Sequence, residues 1–294
     1  LPDGVGDREN PSATFELAST PFYPQEQFQC GPAALATVLA ASGVDVDVDE
    51  LAGRVYLPGR KGSLQLEMIA ATRASGRLPY VLDPSLKAIE AEIDAGRPVV
   101  VLQNLGVSMI PRWHYAVVVG FDGRQDAVVL RSGTDKRRLT PAKVFLKTWS
   151  RGDFWALTVV EPGDLPSNVD RARYFESIAA LEAVGMSHEA VAAWRAALIR
   201  WPGDLVARFG LANSQLAAGD TASAERAYRS LLETRPDLVI LRNNRARALA
   251  EQGQFDAAAA EVEAALAVND DESLAAELRD TAEEIERRRQ MAAR

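Results

Sequence analysis

The sequence contains few of the residues that usually build metal sites and disulfides. Its 294 residues include one cysteine, Cys30, and two histidines, His114 and His188. A single cysteine excludes an internal disulfide and a cysteine zinc site, and two histidines in separate segments exclude a histidine-rich metal site. Carboxylate-only sites have characteristic loops that this sequence lacks. We therefore expect no metal and no other cofactor.

Basic residues and long apolar runs are also scarce. Lys and Arg number 33 against 41 Asp and Glu, which gives a formal net charge of −8 at pH 7. That balance argues against a nucleic-acid-binding surface. No apolar run approaches the length of a membrane span. The glycines of segment 59–63 lack the spacing of a phosphate-binding loop.

The first residues indicate where the protein acts. The sequence begins at Leu1 rather than Met, with a polar stretch that we expect to be flexible over 1–19. Such a start is typical of a chain whose leader was removed, and a signal peptide or upstream lipid anchor would place it in the bacterial cell envelope or periplasm. The alternative is the trimmed N-terminus of a cytosolic protein.

The lone cysteine stands at the predicted start of a helix. Cys30 precedes the apolar run 33–41. A thiol at a helix start meets the positive end of the helix dipole and free backbone N–H groups, and both lower its pKa. Gln25 can donate its side-chain amide to a developing oxyanion. His114 begins a valine-rich strand pattern, and a lone Cys with a distant His is typical of a thiol hydrolase, although most free cysteines are simply buried.

These two segments resemble the motifs of C39 peptidases, the bacteriocin-processing, double-glycine-leader branch of the papain-like cysteine proteases. The resemblance rests on the run 25–39 and on the pattern His-Tyr, valines, Gly-Phe-Asp over 114–122. It extends over roughly residues 20–160. It implies an α+β papain-like fold and peptidase activity.

The resemblance also assigns roles to individual residues. It implies that Cys30 is the nucleophile, that His114 is the general base and acid, and that Gln25 is the oxyanion-hole donor. The family usually places its Gln one residue further from the Cys. Gln27 therefore stays open as the alternative donor.

The residue that would orient the His114 ring departs from the family pattern, which usually has an Asp on the next strand. Asp-Gly between two valine-rich runs predicts a hairpin that brings His114 opposite residues 131–135. The family's Asp then corresponds to Ser132, whose hydroxyl stabilises an imidazolium less than a carboxylate does. Asp135 is an alternative if the loop turns back, and ordinary turn chemistry is another interpretation of Ser132.

Helical patterns precede strand patterns in the first half of the chain, which is the α+β order of papain-like folds. We predict this peptidase domain over 20–161, followed by a Pro/Gly/Ser-rich linker over 162–170. Just before His114, Met109, Ile110 and Trp113 either line a substrate cleft or pack in the core. The predicted helices, after that at Cys30, are 49–55, 63–75 and 85–95, and the predicted strands are 98–102, 114–121, 127–131 and 154–160.

The second half of the sequence repeats with a period of 34 residues, which is that of tetratricopeptide repeats. Small alanines let two helices approach, an aromatic residue fills the gap, and proline ends the second helix. We predict an all-α repeat solenoid over 171–294, with three repeats and a capping helix at 273–289. The matching positions are Gly185, Gly219 and Gly253; Ala190, Ala224 and Ala258; Trp194, Tyr228 and Val262; and Leu198, Leu232 and Leu266.

Such arrays usually present a concave surface to a peptide or protein. The candidate contact residues are polar positions of the first helix of each repeat, which are otherwise a solvated face. They are Arg173, Arg208, Asn213, Arg242, Asn243 and Arg247.

Three functions are compatible with these features. The first is a cysteine peptidase whose repeats bind a substrate or partner protein. The second is another thiol acyl-transfer enzyme, an amidase or transpeptidase, on the same Cys30/His114 dyad. The third is a non-catalytic papain-like scaffold with repeats.

Overall fold

The computed structural model describes residues 14–24, 30–60, 62–107 and 109–294. Contacts divide the chain into two units, of which the first ends at Val184 and the second runs from Gly185 to Arg294. No helix in the described ranges is long and apolar enough to cross a membrane.

The first unit is built on a seven-stranded antiparallel sheet. The strand order is β2-β7-β3-β4-β5-β6, and β1 pairs with β4. The strands are β1 Thr14–Glu16, β2 Leu78–Val81, β3 Val99–Asn104, β4 Trp113–Asp122, β5 Ala127–Ser132, β6 Asp135–Pro141 and β7 Ala156–Val160. The helices are α1 Cys30–Ala41, α2 Val48–Val55, α3 Gln65–Ala74, α4 Leu86–Asp94, α5 Ala142–Ser150 and α6 Arg171–Glu182.

Helix α1 is apolar on nearly every side because it is buried against the sheet. Leu35 and Leu39 share a core cluster with Tyr115, Val117 and Val119 from one face of β4. Fully burying a side chain of this size stabilises the fold by about 1.5–3 kcal/mol. This packing fixes the first residue of α1 beside the first residues of β4.

The predicted order of helices followed by an antiparallel sheet is confirmed. Residues 136–138 form part of β6, a strand that the sequence patterns did not predict. This strand lies at the edge of the sheet and is mostly exposed, so it lacks apolar alternation and its charged side chains protect the edge.

The second unit is entirely helical over its described residues. Gly185, Gly219 and Gly253 have positive φ angles of 79°, 83° and 73°. This is the left-handed backbone conformation that often follows the last turn of a helix and that favours glycine. The repeated alanines are fully buried, as their role in close helix contact predicts. The helices are α7 Ser187–Arg200, α8 Leu205–Ala217, α9 Thr221–Thr234, α10 Val239–Glu251, α11 Phe255–Val268 and α12 Glu272–Ala292.

Helix α6 lies in the first unit, although its sequence was predicted to open the first repeat. Arg173 donates to Val81 O at 3.0 Å and to an Asp83 carboxylate oxygen at 3.0 Å. Ser177 Oγ donates to Pro79 O at 3.2 Å. Arg173 is therefore engaged with the end of β2, which corrects its prediction as a partner-binding residue.

Candidate active site

Cys30 is the first residue of α1 and is partly exposed. Gly31 follows it at a crowded position, since a Cβ there would collide with the Ser63 side chain. The buried Ser63 hydroxyl has no hydrogen-bond partner among the described residues. Cys30 is thus only partly buried, whereas the following residues of α1 lie in the core.

His114 is the second residue of β4 and pairs with Gln103 of β3. Its ring Nε2 lies 2.8 Å from Ser132 Oγ, at the end of β5. Ser132 is only 3% exposed, so its hydroxyl position is fixed by the surrounding fold. The structure therefore brings Ser132 to the His114 ring.

Asp135 lies directly opposite Ser132 across the β5–β6 turn and is exposed. Among the described residues, no hydrogen bond joins the Asp135 carboxylate to the His114 ring. The group that contacts the ring at this position is thus a hydroxyl.

Cys30 lies close to the strand that carries His114. The backbone amides of Tyr115, Gly31 and Cys30 itself all favour the thiolate, but desolvation outweighs them, and burial raises the pKa of the thiol above its ordinary value. The predicted depression of this pKa is wrong because the helix-start effect is smaller than the penalty for burying the charge. No hydrogen bond joins Cys30 to His114 in the part of the chain that the structure describes.

The pKa of His114 is lowered to about 4, first by burial and then by the positive charges of Arg138 and Arg112. The imidazole is consequently neutral at physiological pH. The resting site therefore holds a thiol and a neutral imidazole, not a thiolate–imidazolium pair.

Tyr115 and Glu67 lie on the Cys30 side of the site. The Tyr115 hydroxyl donates to Ser63 O at 3.3 Å. Burial, followed by the negative charges of Cys30 and Glu67, raises the pKa of Tyr115. The phenol therefore stays protonated and able to donate a hydrogen bond near the thiol.

The segment before His114 is a short apolar hairpin. Val107 pairs with Ile110, and the Asn104 side chain accepts hydrogen bonds from the backbone amides of Gly106 at 3.0 Å and Arg112 at 2.9 Å. From the sequence, the side chains of this segment could either pack in the core or line a substrate cleft. The exposed fractions are 91% for Met109, 70% for Ile110 and 54% for Trp113, so these three side chains do not belong to the core.

The two predicted oxyanion donors, Gln25 and Gln27, lie outside the described residues. His188 is an exposed residue of α7.

Most of the candidate partner residues of the repeats are engaged inside the second unit. Asn243 is fully buried and donates to Glu277 at 2.9 Å, which corrects its prediction as a contact residue. Asn213 accepts hydrogen bonds from Tyr228 at 2.8 Å and from Asn244 at 3.0 Å. Arg242 pairs with Glu261 at 3.2 Å and has only a quarter of its side chain exposed.

Two of the candidates remain exposed. Arg208 donates to Pro202 O at 3.1 Å. Arg247 borders a groove of about 340 Å³ between α10 and α12. Four of the six charged residues that line the groove are acidic; the six are Glu251, Glu277, Asp280, Glu284, Arg247 and Arg288.

Residues 18–154 match the model of the Peptidase_C39 like family, and residues 215–280 match a tetratricopeptide repeat model. A comparison with curated proteins finds no match.

Three solved structures show weak similarity to the sheet domain. A candidate C39-like peptidase from Bacillus anthracis is 17% identical, with 51% of this chain and 98% of that chain covered and a TM-score of 0.43. A double glycine motif protease from an AMS/PCAT transporter, in complex with the leader peptide, is 21% identical, with coverages of 50% and 92% and a TM-score of 0.37. The peptidase domain of Streptococcus ComA, a bifunctional ABC transporter involved in quorum sensing, is 19% identical, with coverages of 48% and 98% and a TM-score of 0.40.

At these TM-scores, the assignment rests on the family models and on the motifs. By these models, residues 18–154 are similar to the Peptidase_C39 like family, and residues 215–280 are similar to tetratricopeptide repeats.

Proposed function

We propose that this chain is a cysteine peptidase that hydrolyses peptide bonds with Cys30 and His114. The observation that carries the proposal is the 2.8 Å contact between His114 Nε2 and the buried Ser132 hydroxyl. With Nε2 engaged there, Nδ1 is the ring nitrogen that serves the thiol. Cys30 is favourably placed to give its proton to Nδ1, because the backbone amide of Tyr115, the residue after His114, hydrogen-bonds to the thiolate.

The reaction begins from the neutral pair. His114 Nδ1 takes the Cys30 proton as Sγ attacks the carbonyl carbon and forms a C–S bond. The imidazolium then gives this proton to the leaving amine as the C–N bond breaks, which leaves a thioester. Water attacks the thioester while His114 accepts a proton, and the proton returns to sulfur as the C–S bond breaks. The carboxylic acid product is released and both side chains are restored.

The neutral imidazole suits the role of general base. A ring with a pKa of about 4 carries a free lone pair over the whole neutral range. The imidazolium form of His114 is stabilised less well, because Ser132 offers a neutral hydroxyl where a carboxylate would offer a negative charge. We therefore expect slower turnover than in an enzyme with a complete triad.

The exposed hairpin supports a peptide substrate. Met109 and Ile110 lie five and four residues before His114 and offer apolar surface to a bound chain. The proposed role of the repeats is to capture a substrate or partner protein, with Arg208, Arg247 and the acidic groove exposed for contact. A cell-envelope location also stays a proposal.

A thiol-reactive activity probe tests the dyad directly, because Cys30 is the only cysteine in the chain. We expect labelling that is absent in Cys30→Ala and much slower in His114→Ala, together with cleavage of members of a peptide library. Labelling at an equal rate in His114→Ala and no cleavage would reject the proposal. Transfer of the acyl group to an added amine, without hydrolysis, would instead indicate a transpeptidase.

A non-catalytic scaffold is the second candidate function. It is favoured by the raised pKa of Cys30, the lowered pKa of His114 and the absence of a carboxylate contact to the ring among the described residues. In that case His114→Ala would leave the function of the chain unchanged, whereas disruption of the repeats would abolish it.

A further inference from the structure

Gln103 is a buried polar residue directly opposite His114. The pairing of β3 with β4 sets the two residues against each other. Residues opposite each other on antiparallel strands share a face, and their Cβ atoms are about 4.5–5.5 Å apart. Gln103 is only 2% exposed. Its side chain therefore lies beside that of His114 and is enclosed there by the fold.

A glutamine is an unusual residue for this place in the strand. The preceding residues of β3, 99–102, are all Val or Leu. A buried polar group costs free energy unless its hydrogen bonds are made, and β-branched residues fit a strand better. Stability alone would therefore favour an apolar side chain opposite His114.

Thr148 of α5 fixes the orientation of the Gln103 amide. Gln103 Nε2 donates to Thr148 Oγ1 at 2.7 Å. The Thr148 hydroxyl lies 3.1 Å from Val144 O and 2.9 Å from Phe145 O, two carbonyls that can only accept. Its single hydrogen is thus directed to its own helix, so it can only accept from Gln103. The amide group consequently turns its NH₂ to α5, and its carbonyl oxygen accepts no hydrogen bond among the described residues.

Gln103 and Ser132 approach His114 from different strands. Strand β4 lies between β3 and β5. Ser132, at the end of β5, contacts ring Nε2 at 2.8 Å, whereas Gln103 comes from β3. One hydrogen bond holds one atom of the ring and leaves the ring free to pivot about that contact. A fixed neighbour on the other side removes this freedom, which is the requirement for a base in a defined geometry.

We propose that Gln103 is a positioning residue for His114. Its amide, held by Thr148, keeps the ring in the orientation in which Nε2 meets Ser132 and Nδ1 faces Cys30. Helix α5 thereby supports the base through a side chain that touches no substrate. This inference rests on the proposed peptidase function, which gives Nδ1 its role, but the state of the ring can be measured without hydrolysis.

The kinetic test removes the Gln103–Thr148 hydrogen bond from each side. Gln103→Met and Thr148→Val both delete it at similar volume. For a peptide that the wild-type chain cleaves, we expect kcat to fall about fivefold in each variant, with KM unchanged. The double variant should lose no more than either single variant, because both changes remove the same bond. Thr148→Ser keeps the hydroxyl and should retain most of the rate.

Gln125→Met is the matched control. Gln125 is exposed at the far β4–β5 turn and donates from its side chain to Asp122 at 3.1 Å. An equal fall of kcat in Gln125→Met, an unchanged kcat in Gln103→Met, or an effect on KM alone would overturn the proposal. A loss of about 25-fold in the double variant would also overturn it, because the two residues would then act separately. Thermal unfolding of each variant verifies that its fold is retained.

The ring itself gives a readout that a merely structural role would not change. The ¹⁵N chemical shifts of a histidine ring report which nitrogen carries the proton, and His188 provides an internal reference. We expect one tautomer of His114, with the proton on Nε2, in the wild-type chain and a mixture in Gln103→Met and Thr148→Val. If the peptidase proposal alone is wrong, no variant cleaves peptides and the tautomers still mix. If the positioning role alone is wrong, Gln103→Met cleaves peptides at the wild-type rate and keeps a single tautomer.

Discussion

The ion-pair cluster of the repeats and the candidate active site both hold polar side chains in partly buried positions. In the repeats, Arg245 contacts Glu225 at 2.9 Å and Glu261 at 2.8 Å, so each charge meets an opposite charge. In the site, the His114 ring contacts the Ser132 hydroxyl, and the positive charges of Arg138 and Arg112 lower its pKa. Groups that are fully paired stabilise a fold, whereas unpaired groups remain available to a ligand or a reaction.

The comparison predicts that removing a site residue changes activity much more than stability. We expect His114→Ala to lower peptide hydrolysis by about 10²–10⁴-fold, the usual contribution of a general base. Its free energy of unfolding should change little in comparison. His188→Ala, at an exposed position of α7, is the control and should retain full activity. Equal losses of activity in the two variants would remove His114 from the mechanism.

Removing a core residue of the repeats should have the opposite result. Trp194 is buried, and its ring occupies the space where a side chain on Gly210 would lie. Trp194→Ala should lower the stability of the second unit by about 3–5 kcal/mol. The expected signal is an earlier loss of helical circular dichroism in urea, with labelling of Cys30 unchanged.

Ile199→Ala provides the matched control in the same helix. Ile199 is 83% exposed, so its truncation should change stability by less than about 0.5 kcal/mol. A similar shift in both variants would mean that Trp194 does not hold the repeats together.

The pH dependence of the site follows from its two pKa shifts. The pKa of the Cys30 thiol is raised, so its rate of alkylation should continue to rise, about tenfold per pH unit, through the ordinary thiol value of about 8.5. His114 loses its proton as pH rises through about 4, so the base form is present across the neutral range. A plateau of alkylation below pH 7 would instead reveal a thiolate–imidazolium pair.

Sequence reasoning succeeded where the signal was local. The period of 34 located the repeats because Gly, Ala and an aromatic residue each meet a requirement within one helix pair. Ser85 was predicted to start a helix, and it caps α4 by accepting from the Ala88 amide at 3.1 Å. The two short motifs around Cys30 and His114 also predicted that Cys30 lies close to β4.

Sequence reasoning failed where the outcome depended on distant partners. The pKa of Cys30 depends on how deeply α1 is buried against the sheet, which the helix-start argument did not include. Arg242 and Asn243 were predicted to be exposed. In the structure they bind Glu261 and Glu277, which lie 19 and 34 residues away in the sequence. Neither pairing leaves a signal in the local sequence.

The smallest expected effect concerns the group that orients the ring. Ser132→Ala removes one hydrogen bond, which costs about 1 kcal/mol and should lower turnover about fivefold. Asp135→Asn should have almost no effect, because Asp135 is exposed and makes no hydrogen bond to the ring among the described residues. A larger loss in Asp135→Asn than in Ser132→Ala would identify Asp135 as the orienting residue.

A third variant tests the electrostatic difference between the two regions. Ser132→Asp places a carboxylate beside Nε2, and a nearby negative charge favours the imidazolium. The pKa of His114 should therefore rise from about 4, measurable by NMR with His188 as an internal reference. If turnover rises with it, the missing charge limits catalysis, and the site then resembles the repeat cluster in having its positive charge paired. A higher pKa without faster turnover would show instead that the limit is the approach of Cys30 to the ring.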